Sequence, residues 1–302
     1  MRPFLSKHTP LQHLILNNNG LGPAAGTLVA EALTTLSSNK ASARKEGKSV
    51  PDLETVVCGR NRLETGSMNA WVKAYAAHPA IKSVKMVQNG IRQEGISALL
   101  QNGLSQCLKL EVLDLQDNTF TAMGARALAD VVAKWPSIKE LSVGDSLLSA
   151  RGGVMLAEAL AGGDHKKLET LRLQYNEIDA KGLAALAKTA KAGKLPSLQR
   201  VELNGNKFSE DDPNIEALRE VLDARKEDIA PDDDNEDAWG IDELDDLEED
   251  SDDEEDDVHD EEDAEEEKII KEADVAESQP VAQDKDSAVD ELAAAFGKTE
   301  IK

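Results

Sequence analysis

One recurring pattern constrains this chain more than any other feature. The form LxxLxLxxNxL returns as LQHLILNNNGL, LETVVCGRNRL, IKSVKMVQNGI, LEVLDLQDNTF, IKELSVGDSLL, LETLRLQYNEI and LQRVELNGNKF, seven copies in 302 residues. Its polar column is Asn19, Asn61, Asn89, Asn118, Ser146, Asn176 and Asn206, at intervals of 42, 28, 29, 28, 30 and 30 residues. Up to that column the apolar residues alternate as in a strand; after it they recur at helical spacing. In the first copy Ala25, Leu28, Val29, Ala32, Leu33 and Leu36 form one apolar stripe.

A strand followed by a full helix every 28 to 30 residues is the signature of a leucine-rich repeat. No unit can bury its stripe alone, so the repeats must stack into an α/β solenoid, a horseshoe with a parallel sheet on one side and helices on the other. The asparagine belongs at the turn, where its side chain can bond backbone groups that would otherwise be buried unpaired. Ser146 offers only a shorter hydroxyl there. The 42-residue interval holds SSNKASARKEGKSV, Ser37 to Val50, which reads as a polar, basic surface loop. The opening MRPFLSKHTP reads as the last turn of a helix from a preceding repeat, so the chain is expected to begin within the architecture, without the N-terminal cap.

Charge divides the chain. The formal charge of -25 is concentrated after residue 230, where the last 72 residues sum to about -28. From Pro231 to Ile270 about 25 of 40 residues are Asp or Glu. So few apolar side chains cannot offset the ordering entropy, and disorder is expected. The predicted organisation is a repeat domain over 1–226, a disordered acidic region over 227–270 and a C-terminal tail over 271–302. Within that tail Ser287, Asp290, Val289, Leu292 and Phe296 suggest a short helix over 287–296.

Several chemistries are excluded on this reading. The five histidines stand apart from one another, and Cys58 and Cys107 have neither metal spacing nor a disulfide framework, so no metal or cofactor is expected. GLGPAAG from Gly20 lacks the full GxGxxG pattern, and GIRQEGIS from Gly90 lacks the lysine of a phosphate loop. Leu14 to Leu16 is too short for a signal-peptide core, and nothing approaches a membrane span. What remains is a row of polar side chains at the strand-to-helix turns, one repeat apart along a rim, which is a surface for a protein partner.

FLSKHTPLQHLILNNNGLGPAAG, CGRNRLETGSM, VKMVQNGIRQEGI, LDLQDNTFTAMG and LRLQYNEI closely resemble the leucine-rich domain of fungal-type Ran GTPase-activating proteins, and the acidic segment is similar too. The resemblance implies an activator that binds the small GTPase Ran in its GTP form and promotes hydrolysis there, in nucleocytoplasmic transport. GTP and magnesium would be held by Ran, with Ran-binding proteins as further partners and no contact with nucleic acid. The chain would have no active site of its own and would act in the cytoplasm, perinuclear or at the nuclear envelope. In that family the activator orients Ran's own glutamine instead of inserting an arginine. Partner-binding residues on this reading are Asn18, nearest the nucleotide, with Arg60, Arg62, Gln88, Asp117 and Tyr175. Family members begin with further repeats carrying an arginine needed for stimulation. The expectation is therefore either a fragment or a misplaced start, or a shortened paralogue that binds without stimulating. The rival reading is an acidic-tailed leucine-rich histone chaperone or scaffold, in which a polyanion shields basic partners.

Overall fold

The structure, a computed structural model, describes residues 2–230, 235 and 238–248. Eight short parallel strands form one open sheet in strict chain order: β1 (His13–Ile15), β2 (Thr55–Val57), β3 (Ser83–Lys85), β4 (Val112–Asp114), β5 (Glu140–Ser142), β6 (Thr170–Arg172), β7 (Arg200–Glu202) and β8 (Gly240–Ile241). The register is unbroken, so Leu14, Val56, Val84, Leu113, Leu141, Leu171 and Val201 lie side by side. These central residues of β1 to β7 are buried, as are Asp114 of β4 and Ser142 of β5, while the other strand residues are half-buried or exposed.

Parallel rows complete the core on either side of this one. Leu53, Ile81, Leu110, Ile138, Leu168 and Leu198 precede the strands, and Leu63, Ile91, Phe120, Leu148, Ile178 and Phe208 follow the turns, all buried. Each such side chain is worth about 1.5–3 kcal/mol when fully buried, and neighbouring repeats supply most of the covering surface.

The helices are α1 (Arg2–Lys7), α2 (Gly22–Lys45), α3 (Met68–Ala76), α4 (Gln93–Ala98), α5 (Thr121–Val132), α6 (Ser149–Gly162), α7 (Ala180–Lys191) and α8 (Pro213–Ile229). All but α1 follow a strand. The third repeat is irregular, with α4 widening into a π turn over Leu99–Gly103 and ending in a 3₁₀ turn over Leu104–Gln106. A Cβ on Gly103 would stand 3.1 Å from Val72 Cα, so α3 passes this bulge with backbone nearly in contact.

Three sequence expectations need correction. The insertion is not a loop along its length: α2 continues through it to Lys45. The reason is Lys40, 2% exposed, whose ammonium donates to the carbonyls of Thr9 (2.8 Å), Leu11 (2.7 Å) and Pro51 (2.6 Å). Asn39 adds a bond to Ser6 O, and Arg44 binds Val50 O and Asp52. Thus the inserted segment ties α1 and the approach to β2 together. The second correction is the apolar stripe: the buried residues of α2 are Gly26, Val29, Ala30, Ala32, Leu33, Leu36, Lys40 and Ala43, while Ala25 is only partly buried and Leu28 is 46% exposed.

The third correction concerns the acidic region. A repeat domain ending at 226 cuts α8, and residues 238–248, taken as disordered, carry β8 with Trp239 and Leu244 buried. The remaining expectations for 249–270 and 271–302, including the helix over 287–296, lie outside the described residues.

Candidate partner-binding rim

The turn after each strand is built by the asparagine of the next repeat. Asn61 Oδ1 accepts from Asn19 N (2.8 Å), and its Nδ2 donates to Leu16 O (2.7 Å) and to its own Gly59 O (2.9 Å). Asn89, Asn118, Asn176 and Asn206 repeat this arrangement, each bonding the preceding repeat through both ends of the amide. Ser146 donates only to Gly144 O (3.0 Å) within its own repeat, the loss that a shorter side chain makes unavoidable. Asn19 differs from the other asparagines in being exposed; its amide bonds Asn17 O.

With the asparagine fixed, the residue before it must take the left-handed conformation. Asn18 (φ 56°), Arg60 (56°), Gln88 (52°), Asp117 (57°), Asp145 (51°), Tyr175 (54°) and Gly205 (68°) form this column, and Arg62 (53°) stands one place beyond its asparagine. Such a φ costs an ordinary L-residue about 1–2 kcal/mol relative to glycine. Side chains nevertheless occupy six of the seven column positions. Asn18, Arg60, Gln88, Asp145 and Tyr175 are exposed, Asp117 half-buried.

The structure brings Arg62, Gln88 and Asp117 together around an open depression of about 560 Å³, completed by Glu64, Asp145 and Leu147. Burial and the neighbouring Asp145 raise the Asp117 carboxyl above its usual range, opposed by the positive charge of Arg60. Asn18 lies outside the depression, nearer the first repeat. Tyr175 is engaged by the chain itself: its hydroxyl donates to Asp246 Oδ2 (2.7 Å), and its ring covers Gly205, where a Cβ would clash.

Sequence reading missed Glu64, Asp145 and Leu147. Asp145 was findable, because it precedes Ser146 as Asp117 precedes Asn118. Glu64 and Leu147 join only through the stacking register of neighbouring turns.

The open face of the sheet changes along its length. Near β1 it presents His13 and the 67%-exposed Ile15. From β3 onward it is ionic: Glu140 lies between Lys85 (3.4 Å) and Arg172 (2.7 Å), and Arg172 also pairs with Glu202 (3.0 Å). These charges neutralise one another, whereas Arg60 and Arg62 make no ion pair among the described residues.

Other reactive groups are structural. Cys58 and Cys107 are buried free thiols, both pushed up to about 12 by burial. Among the described residues no cluster of His, Cys, Asp or Glu could hold a metal, and no helix is long and apolar enough to cross a membrane.

A leucine-rich repeat family model matches residues 106–129 and 164–187. Ran GTPase-activating protein 1 of Saccharomyces cerevisiae is 37% identical over 230 residues, 74% of this chain and 54% of its own. The Ran GTPase-activating protein of Drosophila melanogaster is 30% identical, covering 67% of this chain and 32% of its own. The ribonuclease inhibitor of Sus scrofa is 26% identical over 67% of this chain and 41% of its own. The chain thus spans about half the length of the yeast relative and less of the others. It is a leucine-rich repeat protein, and its repeat domain is similar to that of the Ran GTPase-activating proteins.

Proposed function

We propose that this chain binds the small GTPase Ran in its GTP form through the left-handed rim and promotes hydrolysis of GTP there. One observation carries the reading: non-glycine side chains fill almost every position where the backbone favours glycine, at some cost to the fold. The relatives supply the partner's identity. On this reading Arg60 and Arg62 meet acidic groups of Ran, while Gln88, one repeat on, and Asp117, two repeats on, meet polar or basic ones. Asn18 reaches toward the nucleotide and helps orient Ran's glutamine. Ran holds the GTP and magnesium, the chain contributes no nucleophile, and the reaction takes place on the cytoplasmic side of the nuclear envelope.

Charge reversal tests the surface. Truncating or opposing a desolvated charged contact commonly costs about 2–5 kcal/mol. Arg60→Glu and Asp117→Lys should each weaken Ran-GTP binding at least thirtyfold, with circular dichroism unchanged. Two variants that bind as tightly as the parent would remove the rim assignment, and capture of core histones in place of Ran would favour the chaperone reading. Single-turnover hydrolysis reads the second half of the proposal. Hydrolysis on Ran that is no faster with this chain than without it would remove that half while leaving the binding surface in place.

A further inference from the structure

The last repeat is finished by a strap whose contacts form a binding site in their own right. In every earlier repeat the backbone N–H after the strand donates to a backbone carbonyl of the next strand: Leu16 to Val57, Cys58 to Lys85, Met86 to Asp114, Leu115 to Ser142, Val143 to Arg172 and Leu173 to Glu202. At β7 the corresponding N–H of Leu203 donates to the side chain of Asp242 (2.7 Å), and the N–H of Asn204 takes its second oxygen (3.0 Å). One carboxylate thus replaces the backbone acceptors of a following repeat.

The rest of the strap is recognised as specifically. Gly240 N donates to Gln199 O (2.8 Å) and Arg200 to Trp239 O (3.1 Å). Asn204 bonds Asp245 (2.9 Å) with its amide nitrogen and accepts from Asp246 N (2.9 Å) with its oxygen. Tyr175 holds Asp246 from the rim side, while Trp239 and Leu244 fill the apolar positions. The β7 edge, the N–H groups of Leu203 and Asn204 and the apolar positions filled by Trp239 and Leu244 together make a receptor for an extended acidic segment.

We propose that the β8-facing edge of β7 with Tyr175 and Asn204 is an acidic-peptide site, occupied in cis by residues 238–248 and exchangeable with a similar segment supplied in trans. Exchange is favoured because β8 has only two residues and several of the strap's polar contacts lie at the exposed end of the solenoid. While the strap is closed, the Tyr175 hydroxyl and the Asn204 amide are engaged by it and not offered to a partner on the rim. This proposal stands apart from the Ran reading and can hold or fail without it.

The test uses the full chain and a fluorescent peptide, AWGIDELDDLE, copied from residues 238–248. Gly240 has φ 83°, which proline cannot adopt, so Gly240→Pro should release the strap. Asp242→Ala is a milder second variant that removes only the carboxylate. Each variant should bind the peptide at least tenfold more tightly than the parent chain, and the Leu203 amide should lose hydrogen-exchange protection that the peptide restores. Adding Asn204→Ala and Tyr175→Phe should then weaken peptide binding at least threefold, and a scrambled peptide of the same composition should not bind. Equal binding to parent and variants, equal binding of the scrambled peptide, or an unchanged Leu203 amide in both variants would overturn the proposal.

Discussion

The first and last described repeats are joined to their flanking segments by opposite means. At the C-terminal end, acidic side chains act as backbone: Asp242 accepts where a further strand would, and Asp245 and Asp246 bond Asn204 and Tyr175. At the N-terminal end a lysine does the joining, from within a helix, by gathering three carbonyls of irregular chain around one ammonium. The apolar rows differ accordingly. Leu198, Leu203 and Phe208 of the last copy are buried, whereas Leu11, Leu16 and Leu21 of the first are only partly so, and Phe4 is 65% exposed. A residue of the same motif is therefore core or surface according to what stacks on it, and polar groups finish an end where apolar ones cannot.

The largest expected effect comes from breaking the N-terminal closure. Lys40→Met keeps the length of the stem but strands three carbonyls, and should cost about 2–4 kcal/mol by chemical denaturation. Amides near Thr9 and Leu11 should exchange first. A cost confined to a few tenths of a kcal/mol would mean that α1 is held by its apolar contacts alone. Asp242→Ala should cost less, about 1–2 kcal/mol, since the lost bonds lie at an end that opens locally. If the loss equals that of Lys40→Met, the ends are not as different as their contacts suggest.

Acid should act on the interior between them. Burial lowers the pKa of His78, whose Nε2 bonds Leu33 O, and of His165, whose ring nitrogens have no hydrogen-bond partner among the described residues. A histidine depressed in the folded state takes up protons on unfolding. Its contribution is complete above the unfolded pKa, near 6.5, and is lost as pH falls through that value toward the folded one. Stability measured from pH 7.5 to 5 should decline, and His78→Gln and His165→Gln should each flatten the profile. The smallest effect is a gain. Ser146→Asn would give the fifth repeat the cross-repeat amide of its neighbours and should add about 1 kcal/mol; a loss instead would show that the turn has closed around serine.

The repeat frame was legible because its signal is redundant. Seven copies vote on the register, and the buried centres from Leu14 to Val201 and the asparagines at the turns both follow from the pattern. The strap was not legible, because Trp239, Ile241 and Leu244 are sparse apolar residues in an acidic stretch, and their significance depends on an edge at β7 made by distant sequence. Nor was Lys40, whose role exists only once Thr9, Leu11 and Pro51 converge. The rim was half legible. Its columns can be read by alignment, but the depression at Gln88 and Asp117 is a property of four turns in register.

The asparagine ladder also gives the solenoid a direction. At the turns the N–H groups depend on the repeat after them, as Asn61 serves Asn19, and Asn206 serves Asn176 and Ile178, with Ser146 the exception. Ahead of the strands the dependence is reversed: Glu54 and Thr55 donate to Gln12 O, and Lys82 and Ser83 to Glu54 O. Losing a following repeat therefore strands donors at the turn, and losing a preceding one strands donors ahead of the strand. Shortened or recombined versions of this protein should need a replacement acceptor at every new junction, as Asp242 supplies after β7.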